Sequence, residues 1–221
     1  TERDISVEDR MNLIGKIERI IRKHKFDPEE LLDHIRAIEV LYPKKAGLVD
    51  DLTGVFSHRY FQIRLAQEVE RGLRYKQPLN LLLIDVDFFS EYAEKNGEQI
   101  ANDVLKKIAD LLRKNVRGSD VVVRYGGDAF AIILPNTVLS AALALGNRFN
   151  AIIRNYPFLH EETQPRGRVT ASVGLTFLDG QTPEELILCC ERAMSHAIKM
   201  GGDRVEIYSK EMDEAEALPP V

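Results

Sequence analysis

Three acidic residues stand where strand-like segments end. Asp85 and Asp87 close an apolar run of strand length, and Asp128 follows two glycines in the stretch "RYGGDAF" at 124–130. Two glycines between apolar runs predict a tight hairpin, because both central positions of such a turn favour positive φ. Carboxylates that meet at one sheet edge suit Mg²⁺, which prefers oxygen ligands. On these residues alone, solvated or capping acids remain the alternative, and Ala129 adds only a methyl group.

The elements that must position these acids alternate along the chain. Apolar spacing of three and four residues predicts helices, and short apolar or alternating runs predict strands. The predicted helices cover 61–74, 100–116, 137–156 and 182–200, and the predicted strands cover 79–85, 121–123, 131–134, 169–177 and 204–208. Helices interleaved with a mostly antiparallel sheet predict an α+β fold, an α/β sandwich.

A helical segment is expected before this domain. Residues 7–24 carry one apolar stripe, and a second helix begins at Asp27, an N-cap followed by proline. Two such helices bury little alone, so residues 1–47 are expected to pack on each other or on a second copy, which predicts a homodimer. The main domain is assigned to 48–210, and 211–221 to a C-terminal tail.

Composition excludes some classes of function. The net charge is −5 over 221 residues, so neither nucleic-acid binding nor binding to an anionic membrane is indicated. Apolar runs stay well below the ~18–20 residues that span a bilayer, so no membrane segment is expected in this chain. The two cysteines, Cys189 and Cys190, are adjacent and lie in an apolar helical stretch. We expect buried thiols and a cytoplasmic location.

Three motifs together resemble the GGDEF domain, the diguanylate cyclase family. They are "DDLTGVFSHRYF" at 50–61, "LLLIDVDFF" at 81–89 and "RYGGDAF" at 124–130, and the resemblance runs from about Asp50 to Tyr208. It implies a bacterial signalling protein with a nucleotidyl-cyclase palm, a central sheet wrapped by helices. Members join two GTP molecules into cyclic di-GMP with Mg²⁺, each domain of a dimer holding one GTP.

The resemblance implies that the carboxylates of Asp85 and Asp128 and the carbonyl of Val86 would hold Mg²⁺. It also shows departures at positions where the family carries its second turn acid, its guanine-reading groups and its phosphate clamps. Those positions hold Ala129, Ser90, Ala93, Gly97-Glu98, Ala101-Asn102, Ile198 and Gly202, with Lys199 and Arg204 displaced. Each lost hydrogen-bond partner costs about 1–3 kcal/mol, and phosphoryl transfer depends on positioning and charge. The active site is therefore predicted to be degenerate.

A second family site is retained. Arg117 and Asp120 form an RxxD motif at the spacing of the family's inhibitory site, which binds an intercalated cyclic di-GMP dimer, and Arg148 matches a second arginine there. An arginine fork can bind a guanine edge or a phosphate, while aspartate accepts from guanine N1–H and N2–H. The alternative is a local surface ion pair worth under about 1 kcal/mol.

Three functions remain open at this point. The sequence favours a catalytically degenerate cyclic di-GMP receptor that signals to an output protein it does not identify. The first alternative is an active diguanylate cyclase that uses Asp85 and Asp128 with product inhibition at RxxD. The second is a protein–protein scaffold in which RxxD is only a relic.

Overall fold

A computed structural model describes residues 47–216, so the predicted helices within 7–41 lie outside the described residues. The elements are α1 (His58–Tyr75), β1 (Leu79–Val86), α2 (Phe89–Asn96), α3 (Glu98–Lys114), β2 (Val121–Gly126), β3 (Ala129–Pro135), α4 (Leu139–Asn155), a 3₁₀ turn (Glu161–Thr163), β4 (Ala171–Phe177), α5 (Pro183–Lys199), β5 (Val205–Ile207) and α6 (Glu211–Glu216). The segment that sequence assigned to a tail therefore begins with a short helix. Within the described range, no helix is long and apolar enough to cross a membrane.

The sheet has five strands in the order β2-β3-β1-β4-β5. The first four pair antiparallel, and β5 pairs parallel with β4. The predicted α+β palm is confirmed. β1 lies at the centre, which explains its continuous apolar run, because both of its faces are buried.

Helices cover the two faces of this sheet. Leu82, Ile84 and Val86 of β1 belong to one core cluster with apolar residues of α3 and α4. The alternate residues of β1 point to the opposite face, because successive side chains of a strand alternate. There α5 packs on β1 and β4, and α1 packs on β2 and β3. This sandwich fixes the position of every strand end that carries a candidate residue.

The helix starts follow local chemistry. Thr182 accepts from the backbone of Glu185, whose side chain bonds back to Thr182, and Pro183 takes the first helical position. This capping box begins the helix where the sequence predicts a helix over 182–200. The short helix α2 had not been predicted. It is bounded by Phe88 and Gly97, both at positive φ, and its apolar pattern covers only two turns.

The contact between α5 and β4 depends on Gly174. A Cβ built there would overlap the backbone of Cys190 and Met194, with the Met194 Cα only 2.9 Å away. Gly174→Ala should therefore lower the free energy of unfolding by about 2–3 kcal/mol, because the helix must move off the sheet. Urea unfolding monitored by circular dichroism measures this change.

Gly126→Ala is the matched control, since a Cβ at Gly126 meets no atom within 4 Å. Equal stability of the two variants would show that α5 does not pack as described.

Candidate functional site

The turn between β2 and β3 holds Asp128 at the edge of the sheet. Only Gly127 has a positive φ, and the register shifts between Arg124 and Gly126. The expectation of positive φ at both glycines is therefore wrong: Gly126 ends β2, and Gly127 and Asp128 occupy the turn. The bulge before Gly126 takes up one extra residue, which moves the turn forward by one position.

The two predicted metal-binding acids come together at this edge. Asp85 pairs with Ala129 across β1 and β3, directly beside Asp128. Burial, together with the charges of Asp128 and Asp87, raises the pKa of the half-buried Asp85 carboxyl to about 7. Carboxylates held together in this way repel one another when both are ionised.

These donors fit a divalent cation. The carboxylates of Asp85 and Asp128, with the carbonyl of Val86, would supply the all-oxygen environment that Mg²⁺ prefers. When bound, such an ion neutralises negative charge on phosphate oxygens. Among residues 47–216, however, no group of three or more acidic, histidine or cysteine side chains could hold a metal. The ion would depend on two side chains and the backbone.

Ala129 occupies the position next to Asp85 where the family has a second acid. It is buried and lies opposite Asp85 in the sheet. Directly opposed residues have Cβ atoms about 4.5–5.5 Å apart, so a carboxylate here would border the same site. The methyl group leaves that place without a ligand or a general base.

Asp87 is not a metal-ligand candidate in the structure. Its buried carboxylate accepts hydrogen bonds from Thr170 Oγ1 and Ser172 Oγ, both at 2.6 Å, and from the Asp203 backbone N–H at 2.9 Å. A Cβ on Gly202 would lie 2.8 Å from Asp87 Oδ1. Asp87 therefore anchors the segment before β5 to the end of β1. The sequence gives no sign of this role, because Thr170 and Ser172 lie more than 80 residues along the chain from Asp87.

Arg124 is a residue that sequence reasoning missed. Its guanidinium lies 5.1 Å from the centre of the Phe130 ring, and its Nη1 is buried with no hydrogen-bond partner. Burial lowers the pKa of Arg124, and the charges of Asp50 and Asp128 oppose that shift. The guanidinium thus contributes positive charge close to Asp128.

The resemblance places Ala93 and Asn102 at the positions that read guanine in the family. Ala93 packs against the core from α2, and Asn102 is half-buried on α3. Where the phosphate clamps would stand, Ile198 is exposed and Gly202 is buried against Asp87.

Three other arginines lie close to carboxylates within the protein. Arg154 and Arg166 approach Asp203 at 3.2 and 3.4 Å, and Arg204 lies 3.6 Å from Glu206. These arginines already face carboxylates, so binding a phosphate would require them to exchange partners.

The RxxD motif forms a compact turn. The Arg117 N–H donates to Asp120 Oδ2 at 2.9 Å, and the Asp120 N–H donates to the Arg117 carbonyl at 3.0 Å. Ser119 Oγ also bonds to Asp120 Oδ1 at 3.1 Å. Within the part of the chain that the structure describes, the exposed Arg117 guanidinium has no ion pair. The local Arg–Asp ion pair that sequence left open is therefore not formed.

Arg148 reaches the same place from α4. A cavity of about 320 Å³ is lined by Arg117, Asp120 and Arg148, together with Asn115 and apolar residues of β3 and α4. The Arg148 guanidinium donates to the Asn115 carbonyl at the end of α3. The structure thus brings the three predicted ligand-binding residues to one cavity. Neither Asp85 nor Asp128 lines this cavity.

The fold and these sites define a nucleotide-cyclase type of domain, and the comparisons agree. The family model described as diguanylate cyclase, GGDEF domain, matches residues 47–204, and this chain belongs to that family. The chain is 34% identical over 161 residues to the response regulator PleD of Caulobacter vibrioides, covering 72% of this chain and 36% of that protein. It is also 34% identical over 165 residues to the diguanylate cyclase DgcP of Pseudomonas aeruginosa, covering 74% and 24%. It spans only about a third or less of these relatives.

Solved structures show the same fold. The GGDEF domain of DgcB from Caulobacter crescentus in complex with c-di-GMP has a TM-score of 0.69 at 19% identity, covering 74% of this chain and 94% of that one. The diguanylate cyclase SiaD from Pseudomonas aeruginosa, in complex with its activator SiaC, has a TM-score of 0.67 at 27% identity, covering 90% and 75%.

The raised pKa of Asp85 gives a pH-dependent prediction. Unfolded aspartate loses its proton near pH 3.9, whereas folded Asp85 keeps it to about pH 7, so the folded state binds more protons between these values. The contribution of Asp85 to stability is full below about pH 4 and is lost as the pH rises to about 7. Asp85→Asn should therefore raise the free energy of unfolding at pH 8 in metal-free buffer by about 1–2 kcal/mol, after allowance for solvent screening. The melting temperature should rise with it.

Thermal melts from pH 4 to pH 8 measure this difference, which should be small at the acid end. Asp179→Asn, at an exposed acid, is the control and should show no such trend. A stability gain for Asp85→Asn that does not change with pH would refute the crowding of the two carboxylates.

Proposed function

We propose that this chain is a catalytically degenerate GGDEF domain that acts as a cyclic di-GMP receptor through Arg117, Asp120 and Arg148. The observation that carries the proposal is their convergence on one cavity of about 320 Å³. This volume lies at the lower end of the ~300–1,000 Å³ range of small-molecule sites. Cyclic di-GMP is the ligand, and residues 1–47 make the receptor a cytoplasmic homodimer that passes the signal to an output protein.

The cavity offers the hydrogen-bonding groups that guanine needs. Asp120 is held by the Arg117 N–H and the Ser119 hydroxyl, so its carboxylate is oriented before the ligand arrives. Each oxygen keeps a further lone pair for guanine N1–H and N2–H. The Arg117 guanidinium, which has no ion pair within residues 47–216, binds guanine O6 and N7 or a phosphate. Pre-orientation lowers the entropy cost of binding.

The relatives support a nucleotide ligand of this class. DgcB, whose GGDEF domain has the same fold, is described in complex with c-di-GMP. This chain has the same fold and keeps arginine and aspartate at the cavity. The site formed by Asp85 and Asp128 lacks the side chains that would contact guanine and phosphate. A domain that keeps the groups for the product and lacks those for the substrate is better suited to binding than to synthesis.

A second candidate, a Mg²⁺-dependent diguanylate cyclase of low activity, is favoured by one observation. Asp85 and Asp128 still converge at the sheet edge. Asp85, Val86 and Asp128 would hold the ion, and the protein would bring the attacking and leaving groups into line. Ala129, Ala93, Asn102 and Ile198 argue against it, since each removes a contact.

The first test is synthesis. With GTP and Mg²⁺, the purified protein should form no cyclic di-GMP above a no-enzyme control, because base and phosphate contacts are both missing. Chromatography of the products measures this. The matched comparison is Asp85→Ala, which removes one of the two carboxylates that would hold the metal and should behave as the wild type does. Synthesis that is abolished by Asp85→Ala would establish the cyclase instead.

The second test is ligand binding. Arg117→Ala removes a charge-assisted contact worth about 1.5–3 kcal/mol, so affinity for cyclic di-GMP should fall about tenfold to a hundredfold. Arg117→Lys should rescue poorly, since an ammonium group is a point charge without the bidentate fork. Asp120→Ala should also weaken binding and reduce discrimination of guanine from adenine. Isothermal titration calorimetry measures all three.

Arg113→Ala is the control for loss of one nearby positive charge, because Arg113 is exposed and does not line the cavity. If the wild type gives no binding heat, or if wild type and Arg117→Ala give the same isotherm, the proposed receptor function is refuted.

A further inference from the structure

Asp203 faces two arginines that come from different parts of the chain. Arg154 lies in the last turn of α4, and its Nη1 is 3.2 Å from Asp203 Oδ2 and 3.3 Å from Oδ1. Arg166 lies before β4, and its Nη1 is 3.4 Å from Asp203 Oδ2. The Asp203 side chain is 13% exposed, whereas the two arginine side chains are 38% and 42% exposed. Solvent therefore reaches both arginines but hardly reaches the carboxylate that they share.

The backbone holds this carboxylate in place. Gly201, Gly202 and Asp203 have φ values of 103°, 74° and 54°, and aspartate tolerates such a positive φ better than most residues. The Asp203 N–H donates to Asp87 Oδ2 at 2.9 Å, and the Asp87 carboxylate is itself fixed by two hydroxyl groups. The Asp203 carboxylate is thus positioned by its own backbone before any anion from solution arrives.

This arrangement is that of an anion bound by two guanidinium groups. Carboxylate and phosphate oxygens both accept strong, charge-assisted hydrogen bonds from arginine. Because the carboxylate is tethered to the chain, it competes at a high effective concentration, and a free phosphate group must displace it. Charge acts in the same direction. The two positive charges of Arg154 and Arg166 are cancelled by the two negative charges of Asp203 and Asp87, so this cluster does not attract a further anion.

We infer that Asp203 is a specificity-determining residue, whose carboxylate occupies a phosphate-binding site formed by Arg154 and Arg166. It thereby keeps phosphate-bearing ligands away from the sheet edge beside Asp87. In the wild type the two arginines stabilise the turn before β5; without the Asp203 charge they become a site for phosphate groups. The inference goes beyond the proposed receptor function, because none of these residues lines the RxxD cavity.

The test is calorimetric titration of the full chain with inorganic pyrophosphate in metal-free buffer, comparing wild type, Asp203→Asn and Glu70→Gln. Asparagine also tolerates positive φ and keeps the backbone N–H that donates to Asp87, so Asp203→Asn removes only the charge. It should bind pyrophosphate about tenfold to a hundredfold more tightly than the wild type does. Glu70→Gln removes a carboxylate that faces Arg74 on the surface of α1, and it should bind as the wild type does.

Two double variants show whether the gain belongs to this pair of arginines. Arg154→Gln or Arg166→Gln, added to Asp203→Asn, should each return the affinity for pyrophosphate to the wild-type value, since each removes one guanidinium group. A gain that persists in either double variant, or equal affinities of wild type and Asp203→Asn, would overturn the inference. If Asp203→Asn does not fold, Asp203→Gly takes its place with the same expected gain, because glycine adopts a φ of 54° without strain.

A melting experiment and a titration with GTP complete the test. Pyrophosphate should raise the melting temperature of Asp203→Asn and leave that of the wild type unchanged, because only a ligand that binds the folded state stabilises it. In metal-free buffer, the affinity for GTP should rise by a factor similar to that for pyrophosphate, since the two arginines bind phosphate and not the base. A gain for GTP without a gain for pyrophosphate would assign the effect to the base and overturn the inference.

Discussion

Both candidate sites depend on the antiparallel pairing of β3 with its two neighbours. Pairing with β1 sets Asp85 opposite Ala129 and next to Asp128. Pairing with β2 fixes the strand that begins directly after Asp120. Because side chains alternate along a strand, a slip of one residue would turn Asp85 to the other face of the sheet. The buried apolar residues of β1 and β3 prevent that slip, so the hydrophobic core also determines the geometry of the sites.

The two sites differ in how far their charged groups already have partners within the protein. Near Asp85 the charges that remain are crowded together or face internal partners, as Arg154 and Arg166 do with Asp203. At the RxxD cavity the Arg117 guanidinium has no ion pair among the described residues, and Asp120 is already oriented. A ligand at the RxxD turn can therefore gain contacts with Arg117 and Asp120, whereas a phosphate near Asp85 would require Arg154 and Arg166 to exchange partners. This difference favours binding over catalysis.

Much of the architecture could be predicted, because it depends on local patterns. The strand lengths and the start at Thr182 follow from apolar runs and capping residues. The helix α2 was missed because eight residues show too little periodicity. The role of Asp87 could not be predicted, because its partners Thr170 and Ser172 lie far along the chain. Arg117 and Arg148 are likewise joined only by packing of α4 beside the RxxD turn, and the resemblance to the family supplied that link.

The central claim is that this chain binds cyclic di-GMP at a site distinct from the one formed by Asp85 and Asp128. Equilibrium dialysis of wild-type protein with labelled cyclic di-GMP, in the presence of a large excess of GTP and Mg²⁺, tests it most directly. The account predicts saturable binding that GTP does not displace and that leaves the GTP unconsumed. Displacement of the labelled ligand by GTP, or the absence of saturable binding, would contradict it.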